Sequence, residues 1–324
     1  MINQTNKTLE ELILNHYKIP YENTGLRNFE QTCFICGLPM EDITEEDYIP
    51  KWLMREFDLF QNKITLPNKT KYPFKNCKIP CCQECNNETL SKIEVRTKEI
   101  LQKDIRTINE DDEDILFKWF MKMFIGFWFQ STKIKADIRL RDSPALLPIE
   151  SLEEASQISG LLKTIKYPVN FRNFKPFSIF KFKYKDTIGT PILFQNDLRF
   201  PTLLFAYKKS AFIIAFNDNG IIRDNFMSLA KTGSAELEYP ELLLKFCEIV
   251  TAQELTRKIY SYLIIHNSIP NINRVVVPEN KGKSPVLPWD LSILKRNIDE
   301  AFDENIFNLT FNSEKGILNF SYKE

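Results

Sequence analysis

Histidine is almost missing from this sequence. His16 and His266 are the only two in 324 residues, and they lie far apart. His-rich metal sites need several imidazoles brought together, and a His-based triad needs one of these two beside a nucleophile and an acid, so neither is expected here. Glycine is also scarce, at 9 residues. No G-x-x-x-x-G-K-[ST] phosphate loop, G-x-G-x-x-G fingerprint, G-x-S-x-G elbow or H-E-x-x-H helix occurs. Charge of one sign is absent too: 43 Lys+Arg stand against 43 Asp+Glu. A protein that is basic all over is therefore excluded, and nucleic-acid contact would have to come from local patches. The longest apolar stretch, ILFKWFMKMFIGFWF, is shorter than the ~20 residues that cross a bilayer and is broken by Lys118 and Lys122. A buried helix is expected there, begun by the acidic run at 109–114, whose charges favour a helix start. The first residues lack the basic-then-apolar layout of a signal peptide, which points to a cytoplasmic protein without a membrane partner.

What is present is ordinary globular composition, 43% hydrophobic and 27% charged, with one local anomaly. Six of the seven cysteines (Cys33, Cys36, Cys77, Cys81, Cys82 and Cys85) crowd into about fifty residues; only Cys247 stands apart. Seven cysteines are too sparse for a disulfide scaffold, and clustered cysteine in a reducing compartment points to metal. Cys33-Phe34-Ile35-Cys36 and Cys82-Gln83-Glu84-Cys85 are two C-x-x-C knuckles. Each brings two thiolates close enough for one tetrahedral ion, and four together make the closed site typical of structural zinc. Cys82 reproduces the spacing of the first knuckle, so Cys81 is read as a neighbouring thiol.

Around the knuckles, Thr8 and Glu11 form a capping box ahead of a helix with Leu9, Leu12, Ile13 and Tyr17 on one face. A second helix carries Leu90, Ile93, Thr97, Ile100, Leu101 and Ile105 on one side. Beyond Pro148 the pattern turns to strands at 177–185, 203–207 and 211–216, with an Asn219-Gly220 turn. Helices are expected over 240–266 and 289–303, and a closing hairpin in the tail. The fold class is α+β. A zinc-stabilised module with flanking helices is expected over 1–110, an apolar helical connector over 111–145, and an α+β domain with a mainly antiparallel sheet over 146–324.

Thr44-Glu45-Glu46-Asp47-Tyr48-Ile49-Pro50-Lys51-Trp52-Leu53 follows the first knuckle, and Asn86-Asn87-Glu88-Thr89-Leu90-Ser91-Lys92-Ile93-Glu94 follows the second. Here the chain resembles the HNH, or ββα-metal, endonuclease superfamily, in the branch held together by a four-cysteine zinc. That branch has an acid-His pair before an Ile-Pro-Lys-Trp-Leu-like run, and CNN-x-x-x-S-x-x-E after the last cysteine. The resemblance covers residues 30–100. It implies a ββα-metal module in which Glu46 and Asn86 hold a catalytic Mg²⁺ or Mn²⁺ and nucleic acid, DNA first, is the substrate. It also implies a role in defence against foreign DNA, and a homodimer or partner protein where both strands are cut.

Two positions depart from the pattern. Asp47 stands where the family has its general-base His, and Cys77 where it has the Asn that names the motif, with Asn76 one place out of register. An ordinary imidazole titrates near 6.5 and a carboxyl near 3.9, so Asp47 is a poor base and a candidate third ligand. Losing a positioned base typically removes ~10²–10⁴-fold in rate. Glu45, Glu46 and Asp47 also read as a solvated acidic turn, Asn86 as a helix N-cap, and Glu94 as an i,i+4 partner of Lys98. The rival function is a zinc-stabilised module that binds nucleic acid or protein without hydrolysis.

Two stretches carry local positive charge. Residues 51–85 hold seven cations, beginning with Lys51, against three acids; residues 163–185 hold seven and no acid. In the second, Phe180, Phe182 and Tyr184 alternate with Lys181, Lys183 and Lys185, which on a strand makes one aromatic and one lysine face. Such a strand can track phosphates, or it can be an edge strand guarded by lysines with its aromatics in the core.

Overall fold

The computed structural model describes residues 32–36, 40, 44–66, 68, 70–147, 161–162, 164–166, 175–189, 192–226, 236–256, 263–266, 273–276, 287–302, 307–312 and 317–322. The helix expected around residues 8–17, with His16, lies outside them. The chain is α+β, and every pair of named strands runs antiparallel. Contacts divide it into two compact units, each assembled from separate stretches: residues 1–96, 121–170 and 261–278 in the first, and 97–120, 171–260 and 279–324 in the second.

In the first unit, strand β1 (Thr44–Asp47) pairs with β4 (Lys78–Cys81) in the register Thr44↔Cys81 and Glu46↔Ile79. Between them lie a short helix, α1 (Lys51–Glu56), and a hairpin of β2 (Lys63–Thr65) and β3 (Lys71–Pro73). Pro50 precedes α1 with an extended backbone, and no side chain caps the helix start. After β4 the chain turns helical. A π-helical turn, Cys85–Leu90, runs directly into α2 (Ser91–Leu101). Leu90, Ile93, Thr97, Ile100 and Leu101 are buried, as the sequence periodicity expects, but the helix stops at Leu101 and Ile105, also buried, lies in a separate 3₁₀ turn, Ile105–Thr107.

Helix α3 (Glu110–Ser131) is the long apolar helix expected from the sequence. Asn109 Oδ1 accepts from Asp112 N at 2.9 Å while Asp112 Oδ2 accepts from Asn109 N at 3.4 Å, a reciprocal cap. Among the described residues, no helix is long and apolar enough to cross a membrane. In the first unit, the last part of α3 packs Phe127 edge-on against Tyr48 and Phe129 edge-on against Phe34. The ring of Tyr48 fits there because residue 126 is Gly.

The second unit is built on a four-stranded sheet of order β5-β8-β7-β6, with β5 (Phe177–Lys183), β6 (Ile192–Asp197), β7 (Thr202–Tyr207) and β8 (Ser210–Phe216). One face, with Phe180, Phe182, Leu204, Ala206, Ala211 and Ile213, belongs to the core cluster completed by helices α5 (Tyr239–Thr256) and α6 (Leu291–Ala301). The other face meets the start of α3: Phe117 stacks on Phe177 at 4.2 Å, and Trp119 and Phe120 meet Phe205. Burial on both faces explains why 203–207 and 211–216 read as unbroken apolar runs. The Asn219-Gly220 turn leads into a short helix, α4 (Ile221–Asn225), with Gly220 at φ 73°.

The helix expected over 240–266 ends at Thr256, and Leu263–His266 is a strand, β9, paired with β10 (Asn273–Val276). The short run Leu-Ile-Ile carries no periodicity of its own, and its β-branched residues favour a strand. His266 therefore sits on a strand and not near a helix end. The tail forms the expected hairpin, β11 (Phe307–Asn312) with β12 (Ile317–Tyr322).

Candidate functional site

The backbone pins the two knuckles together. Phe34 N donates to Pro80 O at 3.0 Å, which ties the first knuckle to β4, and Asn86 N donates to Cys82 O at 3.0 Å, which winds the second. The Sγ atoms of Cys33, Cys36, Cys82 and Cys85 all lie within 4.8 Å of one another, with Cys36 and Cys82 at 4.0 Å. A tetrahedral ion with sulfur ligands at ~2.3 Å separates its ligands by about 3.8 Å, so the four thiols fit a thiophilic ion and are compatible with zinc. This is the ligand set expected from the spacing. Cys81, the neighbouring thiol, is buried on β4 and raised in pKa, first by its hydrogen bond with Cys33 and then by burial. Cys77 is also buried, and that burial pushes its thiol up to about 12.

The acids lie beside this cluster. Successive side chains on a strand point to opposite faces, and β1 separates Glu46 from Asp47 in that way. Glu46 Oε1 accepts from Lys122 Nζ at 2.7 Å, and Glu94 Oε1 accepts from the same ammonium at 2.7 Å. The third Lys122 bond, 3.0 Å, goes to the backbone carbonyl of Asp47. Lys122 is completely buried, whereas the Glu46 and Glu94 side chains are 13% and 20% exposed. Desolvation raises Glu46 above the usual carboxylate range, the charges of Glu94 and Asp47 add to it, and Lys122 opposes it. For Lys122, burial alone would lower the pKa, but the charges of Glu94 and Glu46 outweigh it and the ammonium is held above its ordinary value.

The Asp47 carboxylate does not join this group. It is buried, and its Oδ2 pairs with Lys51 Nζ at 3.3 Å, one helical turn on. Asn86 is inside the π-helical turn and is not a helix N-cap; its Nδ2 reaches back to Glu45 O at 3.4 Å. Glu94 pairs with Lys122, an ion pair that helical spacing alone does not reveal. At the Cys77 position the backbone carbonyl accepts from Tyr48 N at 3.0 Å. Asn76 is exposed, and its carbonyl takes the Tyr72 hydroxyl.

The alternating strand has the edge position and buried aromatics of the structural alternative. β5 is an edge strand, and Phe180, Phe182 and Tyr184 lie in the core. Lys181 shares a face with Phe177 and Ile179, the face covered by α3. Its ammonium is taken up by Glu113 Oε1 at 2.7 Å and Ile108 O at 2.8 Å. Lys185 pairs with Glu238 at 2.9 Å, and Lys183 is half-buried. Lys181 is thus a structural cation, because the acidic first turn of α3 lies over it. In the first unit, by contrast, Arg55, Lys63, Lys71 and Lys75 are exposed and make no ion pair among the described residues. Lys51 is exposed and tied to Asp47.

The residue beside the candidate site that motif reading misses is Lys122. Its signal is a lysine inside an otherwise apolar buried helix, which needs counter-charges from elsewhere in the chain. No protein family, curated protein or solved structure matches this chain.

Proposed function

We propose that this chain is an HNH-type, divalent-metal-dependent nuclease whose ββα module is stapled by a four-cysteine zinc. The observation that carries the reading is the order of parts in the first unit. An antiparallel strand pair is followed by a helix, with four thiols gathered beside it and Glu46 on the first strand next to Glu94 on the helix. Of the oxygens suited to a hard cation, Glu46 Oε2 and Asn86 Oδ1 make no hydrogen bond among the described residues. Mg²⁺-type ions are commonly held by one or two protein oxygens, with water filling the remaining positions. Such an ion stabilises charge on the phosphate and on the leaving oxygen. Glu46 and Asn86 would bind it, and the exposed lysines of the β2–β3 hairpin would meet the phosphate backbone of DNA.

A second reading, a zinc-stabilised module that binds nucleic acid without cutting it, is favoured by one observation. The residue in the general-base position, Asp47, is committed to Lys51. Nicking of plasmid and single-stranded DNA with Mg²⁺ or Mn²⁺ separates the two. Wild type is compared with Glu46→Gln and Asn86→Ala, the first chosen because Gln still accepts a bond from buried Lys122. Cleavage by wild type that both changes abolish is the expected result. DNA binding with no cleavage by any of the three establishes the second reading instead.

A further inference from the structure

Three acceptors converge on one ammonium that has no contact with water. Lys122 Nζ donates to Glu46 Oε1, Glu94 Oε1 and Asp47 O, one acceptor for each of its N–H bonds. Its side chain is 0% exposed. A free glutamate carries several rotatable bonds and samples many rotamers. A charge-assisted bond to a fixed donor removes that freedom at the carboxylate itself. Both carboxylates give Lys122 one oxygen and keep the other, Oε2, without a partner among the described residues, on side chains that still touch solvent. Two acids and one ammonium leave one net negative charge, so the group retains attraction for a cation.

We propose that Lys122 is the positioning residue of the candidate ion site: it holds Glu46 by one oxygen so that the other is presented to a divalent cation, while Glu94 balances the charge of the buried ammonium. This rests on the nuclease reading above. The opposite role, a lysine that plugs the ion site in place of a metal, makes the opposite prediction. Removing a plug raises cation affinity, and removing a positioning group lowers it.

The test is Mn²⁺ binding to the zinc-loaded full chain, followed by electron paramagnetic resonance, beside the nicking assay. Lys122→Met alone strands two partly buried carboxylates, so the informative variant is Lys122→Met with Glu94→Gln, which keeps the local net charge unchanged. Its zinc content and thermal melting report whether it folds. Mn²⁺ affinity at least tenfold weaker than wild type, with zinc retained, is expected. Unchanged or tighter binding overturns the proposal. Glu94→Gln alone leaves the Lys122–Glu46 bond but removes the net negative charge, and a loss of Mn²⁺ affinity smaller than that of the charge-matched double variant is expected.

If the double variant loses its zinc, the wild-type chain supplies the measurement through the ¹⁵Nζ resonance of Lys122 during Mg²⁺ titration. A protected ammonium signal that shifts and persists supports positioning. A signal that does not respond, or that is lost to rapid exchange, overturns it. Wild type that binds neither Mn²⁺ nor Mg²⁺ and cuts nothing overturns the nuclease reading itself, a different outcome from a variant that binds as well as wild type.

Discussion

Gly126 and Tyr48 are so close that a Cβ at residue 126 would lie 2.2 Å from Tyr48 Cγ. Tyr48 directly follows β1, and Gly126 lies one helical turn beyond Lys122 on α3. The close approach therefore sets the helix against the strand end where Lys122 meets Glu46. Two effects compete in Gly126→Ala. Better helix propensity favours Ala by ~1 kcal/mol. Overpacking of a closed core typically costs ~1–3 kcal/mol, and here the opposing atoms belong to a ring root that cannot swing away. Net destabilisation is predicted, read as a lower midpoint in denaturant unfolding. An increase in stability would contradict the close packing.

The cysteines should sort into two reactivity classes. Cys77 and Cys247 are buried, and burial holds both thiols above their ordinary range. Thiolate is the reactive form, so both should resist alkylation in the folded chain. Cys33, Cys36, Cys82 and Cys85 should be protected while metal is bound and become modified after chelation. Peptide mass spectrometry before and after a strong chelator measures this. Equal labelling of the four in both conditions would contradict a metal-held cluster.

Asp218 gives the second unit a pH signature. Its carboxylate is fully buried beside Ser178 Oγ, and burial raises it to about 6 in spite of bonds from Ser178 and the N–H groups of Ile222 and Gly220. From about pH 4 to about 6 the folded chain keeps a proton that the unfolded chain has lost. The stabilisation is therefore full below about pH 4 and is lost as pH rises through about 6. Relative to Asp218→Asn, wild-type stability should fall by about 2 kcal/mol between pH 4 and pH 7. A difference that grows with pH would contradict it.

The two groups of lysines should behave oppositely. Lys181→Met leaves Glu113 without its 2.7 Å partner and should lower stability without changing affinity for DNA. Replacing Lys63, Lys71 and Lys75 with Ala should leave stability nearly unchanged. It should weaken DNA binding and reduce the salt slope by roughly 0.9 for each phosphate that is no longer neutralised. Filter binding over a range of salt concentrations distinguishes them. A Lys181 variant with weaker DNA affinity and an unchanged melting temperature would overturn this assignment.

The thiol cluster is legible in the sequence because C-x-x-C spacing is local, and the four thiols it names are the four that converge. The buried α3 helix and the tail hairpin are legible for the same reason, each carrying its own caps, turns or periodicity. The lysine face of β5 is harder to read, because alternation reveals that two faces differ but not what covers each one. An acidic helix start supplied by residues 110–113 turns Lys181 inward. Lys122 reads in the sequence only as an interruption of an apolar run, since its partners lie 76 and 28 residues away in the chain. Helical spacing assigns Glu94 to Lys98, and a fully buried cation outcompetes that neighbour. The end of α5 is hidden because Leu263-Ile264-Ile265 is too short to show a period.

Four thiolates sharing one ion would clamp the strand of Glu46, the turn of Asn86 and the helix of Glu94 into one module. Metal analysis with X-ray absorption at the zinc edge, on protein purified without added metal, tests it directly. One zinc per chain with four sulfur neighbours at ~2.3 Å is the predicted result. Protein that is folded yet free of transition metal, or zinc bound mainly through oxygen or nitrogen, would contradict it.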